Sequence, residues 1–175
     1  MTYFSVVIDA DVARSSGTTE HPVSSGSRKL LEAVSIGGHK LVLCPTLRQE
    51  WRNHRSKFAI LWMASMVAKK KVVFITPGSN ISRHISDNVP DSKNKEIALK
   101  DAHLIDAALE SDKIVASNDD LARSAFCQIA REKREICSII WMNAISNGEA
   151  FREKLLSGDF VPPNYYLQPI AETTT

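Results

Sequence analysis

Asp101 is the acidic residue that stands out in this sequence, because it falls on the apolar face of a predicted helix. That face carries residues at helical spacing: Ile97, Leu104, Ile105 and Ala108. A carboxylate there would be buried, and a buried charge costs several kcal/mol unless it is paired or binds a metal. Asp101 therefore predicts a site with further members. The helix leads into a short apolar strand that ends in Asn118, Asp119 and Asp120.

Three more acidic residues belong to elements that a parallel sheet brings to one edge. Asp9 ends the first predicted strand, Glu50 lies early in the helix after the second, and Asp119 follows the fourth. Sites in open α/β sheets form outside the carboxyl ends of the strands. A helix that packs antiparallel to the strands begins at that edge, so we expect Asp101 to join if its helix starts near residue 98–100.

Carboxylates gathered in this way favour a bound cation, because like charges raise each other's pKa values. Oxygen ligands without His or Cys are typical of Mg²⁺ or Mn²⁺. Such ions can activate a water and stabilise the leaving oxygen in phosphodiester hydrolysis. We therefore predict a metal-binding and catalytic quartet, composed of Asp9, Glu50, Asp101 and Asp119.

Taken one at a time, these residues also have structural explanations. Asp9 simply ends a strand, Asn118 or Asp119 can be a helix N-cap, and Glu50 can be a solvated helix residue. Convergence of all four at one sheet edge is what favours a site.

Other polar residues near the quartet are assigned weaker roles. Asp11 and Asp120 are candidate auxiliary ligands. Asp106 is five residues from Asp101, about 140° around the helix, so we expect it to support the site from outside or to be exposed. His103 lies opposite the Asp101 stripe, and we expect it to be exposed and without a catalytic role.

The elements that must position these residues alternate between strand and helix. Strands are predicted over 3–8, 40–44, 71–76, 114–117 and 136–142. Helices are predicted over 28–36, 121–134 and 145–156. One long helix is predicted to begin at Thr46, and the helix that carries Asp101 is predicted to lead into the fourth strand. This alternation predicts an α/β fold, a three-layer α/β/α sandwich with a central parallel sheet of about five strands.

Several local features are also predicted. Thr46 and Gln49 fit a capping box, and the long helix they open carries Leu47, Trp51, His54, Phe58, Leu61 and Trp62 on its apolar stripe. Residues 13–27 and 77–93 are predicted to be irregular connections. One domain is expected over residues 1–156, followed by an extended or frayed tail over 157–175.

Composition is that of a globular protein, with 43% hydrophobic and 24% charged residues. A net charge of +2 does not by itself indicate a polyanionic partner. Asp9 comes too early for a signal peptide, and the longest apolar run, 58–68, is too short to cross a bilayer. Cys44, Cys127 and Cys137 are expected to be reduced, so we predict a cytoplasmic protein with no membrane partner.

Four motifs in this order resemble the PIN-domain nuclease family: VVIDADV, LRQEW, KDAHLIDAAL and IVASNDD. The resemblance covers about residues 4–142 and implies that Asp9, Glu50, Asp101 and Asp119 match the family's acidic metal-binding quartet. Ser117 and Asn118 match the polar positions that steady the last acid.

Members of this family are typically metal-dependent ribonucleases that cut single-stranded or structured RNA. Many are toxins of toxin–antitoxin pairs, the VapC-like group. The resemblance therefore implies an endoribonuclease whose partners are RNA, an antitoxin or other inhibitor protein, and a second copy in a homodimer. Tyr165 and Tyr166, expected to be exposed in the tail, are candidates for the dimer contact.

Basic residues near the predicted site are candidates for substrate binding. Arg48, Arg52 and Arg55 are spaced i, i+4 and i+7 on the helix of Glu50, which suits contacts with phosphates. Arg14, just after Asp9, is a further candidate. A run of charges is also typical of a solvated helix face.

Two other functions remain open at this point. Asp9-Ala10-Asp11 also resembles the nucleophile motif of haloacid-dehalogenase-type phosphatases, in which Asp9 would be phosphorylated and Asp11 would be the acid/base. The chain can alternatively be a PIN-like module that binds RNA without cutting it.

Overall fold

A five-stranded sheet, parallel throughout, forms the centre of the protein in the residues that the computed structural model describes, 2–157 and 165–169. The strands are β1 (Ser5–Ile8), β2 (Lys40–Leu43), β3 (Val72–Phe74), β4 (Ile114–Ala116) and β5 (Ile140–Met142). Their order across the sheet is β3-β2-β1-β4-β5, so β1 lies in the middle. The predicted parallel sheet is confirmed, although each strand is shorter than expected.

Helices cover both faces of the sheet, which gives the predicted three-layer α/β/α sandwich. They are α1 (Ala10–Ser15), α2 (Pro22–Ile36), α3 (Pro45–His54), α4 (Lys57–Ala68), α5 (Asn80–Asn88), α6 (Lys93–Leu109), α7 (Asp120–Ile129) and α8 (Gly148–Ser157). A short 3₁₀ helix, Arg134–Ser138, precedes β5. None of the helices among the described residues is long and apolar enough to cross a membrane.

Strand register brings the residues that follow β1, β4 and β5 side by side. Ile8 pairs with Ala116, and Ala116 pairs with Met142. The next residues along these three strands are therefore neighbours at the carboxyl edge: Asp9, Ser117 and Asn143. This edge is where the candidate site forms.

Helix α6 carries the predicted apolar stripe and buries Asp101 on it. Leu104, Ile105 and Ala108 are buried, and Ile97 packs partly buried against the core. The helix begins at Lys93, after an N-cap by Ser92, rather than near residue 98–100. Asp101 consequently lies beyond the second turn of the helix, yet it still reaches the carboxyl edge.

The predicted long helix after β2 is wrong, because the chain turns at Arg55 and Ser56 to make α3 and α4. Ser56 is the N-cap of α4, and its hydroxyl accepts a hydrogen bond from the Ala59 amide. His54 and Leu61, predicted to face inward, are exposed. The predicted capping box is also absent from the described structure, since α3 starts at Pro45 without a side-chain cap.

Two stretches predicted to be irregular contain helices. Residues 13–27 include the end of α1 and the start of α2, where Pro22 is the first residue and the His21 ring accepts from the Val23 amide. Residues 77–93 include α5, which buries Ile81 and Ile85. In the predicted fifth strand, the first half is instead the 3₁₀ helix.

The tail falls mostly outside the described residues, which omit 158–164 and 170–175. In the part that is described, Tyr166 forms an antiparallel bridge with Ile140. Tyr165 and Tyr166 are half-buried and pack against the core, so the prediction of an exposed aromatic pair is wrong. Cys44, Cys127 and Cys137 are free thiols, as predicted.

Candidate active site

An open cleft of about 610 Å³ lies at the carboxyl edge of β1 and β4. Six carboxylic acids of the described residues line it: Asp9, Asp11, Glu50, Asp101, Asp119 and Asp120. The structure thus brings the four predicted ligands and both candidate auxiliary ligands into one cleft, from five separate elements or their ends.

Asp9 is fixed in the cleft by both of its carboxylate oxygens. Oδ1 accepts from the Asp11 amide at 3.3 Å, which caps α1, and Oδ2 accepts from the Ser117 hydroxyl at 2.7 Å. Burial raises the pKa of Asp9 above its ordinary value, and the nearby charge of Glu50 adds to this, although the two hydrogen bonds oppose it.

Ser117 connects the first and last acids of the predicted quartet. Its hydroxyl donates to Asp9 and accepts a hydrogen bond of 3.1 Å from the Asp119 amide. Its own amide donates to the Met142 carbonyl, which continues the pairing of β4 with β5. The fully buried Ser117 therefore holds two acidic residues at a fixed separation.

Asp119 and Asp120 begin α7. Oδ1 of Asp119 accepts from the Ala122 amide at 2.9 Å, so the structural explanation of Asp119 as an N-cap is correct as well. Oδ1 of Asp120 accepts from the Asn143 side-chain amide at 3.1 Å. Both residues line the cleft while they anchor the helix.

Asp101 is 5% exposed and lines the cleft from α6. Burial raises its pKa to about 6, and the charge of Asp9 contributes to the rise. Lys100 lies 3.8 Å away, but its side chain is largely exposed, so this ion pair compensates the buried charge only weakly.

Asp11 is the acid whose protonation changes near neutral pH. Burial raises its pKa to about 7, with Asp9 as the next contribution. Oδ2 accepts from the Asn118 amide at 3.0 Å, whereas the buried Oδ1 has no hydrogen-bond partner in the described structure. A buried oxygen without a partner, on a residue that lines an acidic cleft, is suited to a cation or a proton.

The pair of Glu50 and His103 was not predicted. His103 Nε2 lies 3.0 Å from Oε2 of Glu50, so the prediction of an exposed His103 is wrong. Burial lowers the pKa of His103, but the hydrogen bond and charge of Glu50, together with the charges of Asp101 and Asp9, outweigh it, so the pKa lies above its ordinary value. His103 thus holds the Glu50 carboxylate in place.

The chain matches no family model, and curated proteins give no significant match.

Asn118 and Asn143 tie three segments together behind the acids. The Asn118 side chain donates to Ser27 Oγ at 3.0 Å and accepts from the Ala144 amide at 3.0 Å. Asn143, which is 4% exposed, donates to the Asn118 carbonyl and to Asp120. Asn143 was missed in the sequence, and its only signal is its position directly after a strand, like Asp9 and Ser117.

Asp106 does not take part in the cleft. It is 5% exposed, contrary to the expectation of a supporting or exposed residue, and it accepts from the Ile81 amide at 2.9 Å and the Ser82 hydroxyl at 2.9 Å. Asp106 therefore caps α5 from the other side of α6.

Of the four arginines predicted to bind substrate, Arg14 lines the cleft. Arg48, Arg52 and Arg55 are not among its lining residues, and the Arg48 guanidinium instead lies 5.0 Å from the Phe74 ring centroid. Lys100 and His54 do line the cleft and were not predicted to bind substrate.

A divalent cation fits the donor chemistry of the cleft. The lining acids offer oxygen ligands, and the charge of Asp9 raises the pKa of Asp101, a repulsion that a cation would relieve. In the described part of the chain, no three His, Cys, Asp or Glu side chains are arranged to hold one ion. Mg²⁺ commonly binds one or two carboxylates and keeps several waters, so the cleft suits an ion of this kind.

Proposed function

We propose that this protein is a Mg²⁺- or Mn²⁺-dependent endoribonuclease that hydrolyses RNA phosphodiester bonds in the acidic cleft. The observation that carries the proposal is the convergence of Asp9, Asp101, Glu50 and Asp119 in one open cleft. Asp9 and Asp101 are buried with raised pKa values. Burying ionisable groups in this way is unfavourable for folding and is typical of functional sites.

One or two of the four acids would bind a metal ion directly, with water completing its shell, since no three of the described His, Cys, Asp or Glu side chains surround one point. The remaining acids, with Asp11 and Asp120, would support them. A bound Mg²⁺ or Mn²⁺ lowers the pKa of a water and stabilises negative charge on a leaving oxygen. Ser117 fixes the orientation of Asp9 through its 2.7 Å hydrogen bond. His103 does the same for Glu50 and also lowers the net negative charge of the cleft when it is protonated.

Binding of the polyanion would depend on the basic residues of the cleft. Arg14 and Lys100 line it together with the acids, so they are suited to hold phosphates on either side of the cleaved bond. Arg48, Arg52 and Arg55 lie outside the cleft lining and could contact only more distant parts of a long RNA.

RNA rather than another phosphodiester is proposed from the order of the four PIN-like motifs. The same resemblance extends the proposal to a cytoplasmic toxin of a toxin–antitoxin pair, with an inhibitor protein and a second copy of the chain as partners. Tyr165 and Tyr166 are half-buried in the fold, so they offer a smaller surface for the proposed dimer contact than an exposed tail would.

Cleavage of a pool of end-labelled RNAs by the purified protein tests the proposal. We expect cutting with Mn²⁺ or Mg²⁺, none with EDTA, and none with Asp119→Asn or Asp9→Asn. Asparagine can replace aspartate as an N-cap, so these variants should stay folded. A folded wild-type protein that binds RNA but cuts none with any divalent ion would favour the non-catalytic RNA-binding module.

A phosphatase of the haloacid-dehalogenase type is the second candidate, and the state of Asp11 favours it. With a pKa of about 7, Asp11 could donate and accept a proton next to Asp9. One feature opposes this function: it gives no role to Asp101, a buried acid of the same cleft. Turnover of a generic phosphomonoester that is lost in Asp11→Asn would support the phosphatase.

A further inference from the structure

We propose that an apolar wall of the cleft, formed by Val23, Leu121 and Ile145, receives an unpaired nucleobase beside the cleaved bond. The RNA would therefore have to be single-stranded where it is cut. This inference rests on the proposed function, and it adds a contact with one base to the metal and phosphate contacts of the cleft.

Exposure of these side chains is the first observation. Leu121 is 67% exposed and Ile145 is 40% exposed, although both line the same cleft as the acids. Val23, in the first turn of α2, is half-buried and lines the cleft too. Leu121 directly follows Asp119 and Asp120 in the chain, and all three line the cleft.

Rigid support of the wall is the second observation. Each side chain comes from a different segment, and Asn118 and Asn143 join these segments by hydrogen bonds to Ser27 of α2, Asp120 of α7 and the Ala144 amide. A Cβ atom on Gly26 would lie 2.9 Å from the Ala144 carbonyl oxygen, so α2 and the segment before Ile145 are in close contact. The wall is consequently held in place before any ligand arrives.

The three kinds of surface in the cleft match the parts of a nucleotide. Arg14 and Lys100 suit phosphate, the carboxylates suit a metal ion beside it, and the apolar wall suits the face of a base. In a duplex both faces of a base are stacked, so that only an unstacked base can lie against such a wall. Leu and Ile side chains also act as wedges between bases in other nucleic-acid complexes.

An RNA with one abasic position lacks a single base but keeps its sugar-phosphate backbone. Its affinity for the protein therefore separates the loss of one base contact from a general loss of RNA binding. The parent protein would carry Asp119→Asn, and its Kd in Mg²⁺ would be measured for one labelled single-stranded oligonucleotide, its duplex, and a set with one abasic position each. We expect the duplex to bind more weakly than the single strand. We also expect the Kd to rise about three- to thirtyfold when the abasic position is the one that lies at the wall.

Leu121→Ala and Ile145→Ala in that parent should bind the intact single strand more weakly by a similar factor. They should also no longer distinguish the intact strand from the abasic one. Leu61→Ala is the matched control, because Leu61 is 73% exposed on α4 and does not line the cleft. Thermal unfolding of each variant would verify that it is folded.

Wall variants that keep the parent's response to the abasic position would overturn the inference. So would equal binding of single strand and duplex by the parent. If the wild type cuts RNA but the wall variants respond to the abasic position as the parent does, the wall is rejected and the nuclease is kept. If the parent's binding depends on the abasic position but the wild type cuts no RNA, the nuclease is rejected and the base contact is kept. A parent that binds none of these RNAs would reject both.

Discussion

The hydroxyl of Ser117 donates a buried hydrogen bond of 2.7 Å to Oδ2 of Asp9. Ser117→Ala would leave this oxygen and the Asp119 amide without that partner. We expect the free energy of unfolding to fall by about 1–3 kcal/mol, measured by urea denaturation, since two buried polar groups lose a hydrogen bond. Ser124→Ala, at an exposed position of α7, is the control and should change little. Equal urea midpoints for both variants would contradict this reading of Ser117.

The Glu50–His103 pair predicts the direction in which the His103 pKa should move. Glu50→Gln removes the largest of the contributions that raise it, while the charges of Asp101 and Asp9 remain, so the pKa should fall. An NMR titration of the His103 ring protons measures this. Glu32→Gln, an exposed carboxylate on α2, should leave the titration unchanged. An unaltered His103 pKa in Glu50→Gln would show that the pair does not form in solution.

Asp101 and Asp106 lie on the same helix with the same 5% exposure, but their contacts predict opposite effects on stability. Asp101→Asn removes a buried charge that faces Asp9, so stability in metal-free buffer should be kept or raised. Asp106→Asn removes an acceptor oxygen from the cap of α5 and should cost about 0.5–2 kcal/mol. Urea midpoints of the two variants would decide, and a reversed order would refute the assignment.

Fold class could be predicted from the sequence because the buried strands are short runs of apolar and β-branched residues. The break between α3 and α4 could not, since an apolar stripe continues at helical spacing across Ser56 and hides the N-cap there. Helix α5 was missed because only Ile81 and Ile85 are buried in an otherwise polar stretch. Its start depends on Asp106, which is 25 residues away from Ile81 in the chain.

Raised carboxylate pKa values predict how stability changes with pH. The pKa of Asp101 rises from 3.8 to about 6, so the folded state binds more protons than the unfolded state in this range. Its contribution is fully present below about pH 4 and is lost as the pH rises through about 6. For Asp11 the loss extends to about pH 7.

Thermal unfolding of the wild type and Asp101→Asn between pH 4 and 8 measures this contribution. Without divalent ions, the variant should gain in Tm relative to the wild type as the pH rises. Mn²⁺ at pH 7.5 should raise the Tm of the wild type more than that of the variant, because the ion binds the folded carboxylates. Parallel pH profiles would show that burial and the charge of Asp9 do not raise the pKa of Asp101.

His39, far from the cleft, should make stability depend on pH with the opposite sign. Nδ1 accepts from the Phe4 amide at 3.1 Å, so Nε2 carries the proton and donates to the Leu155 carbonyl at 2.8 Å. Burial lowers its pKa from 6.5, and the charge of Lys71 adds to this. The contribution of His39 is therefore present above about pH 6.5 and is lost on acidification.

Comparison with His39→Gln isolates this effect from that of the carboxylates. Between pH 7.5 and 5.5 the wild type should lose stability relative to the variant, as measured by urea midpoints at each pH. A constant difference in stability between the two proteins across this range would show that the pKa of His39 is the same in the folded and unfolded states.

Much of the candidate site was visible in the sequence because the residues after parallel strands meet at one edge. Asp9 and Asp119 follow strands directly, and Asp101 was noticed because it interrupts an apolar stripe. His103 was missed because α6 is buried on most of its circumference, so a polar residue opposite Asp101 still faces protein. The position of Arg48 depends on how α3 packs near Phe74, which helical spacing alone does not reveal.

RNA cleavage by the wild type, Asp101→Asn and Asp106→Asn at increasing Mn²⁺ tests the central claim most directly. The two variants make the same chemical change at equally buried positions of one helix, and only Asp101 lines the cleft. We predict Mn²⁺-dependent cutting by the wild type and by Asp106→Asn, and a loss of at least about a hundredfold in Asp101→Asn. Cutting that needs no divalent ion, or that survives in Asp101→Asn, would contradict a metal site built from these acids.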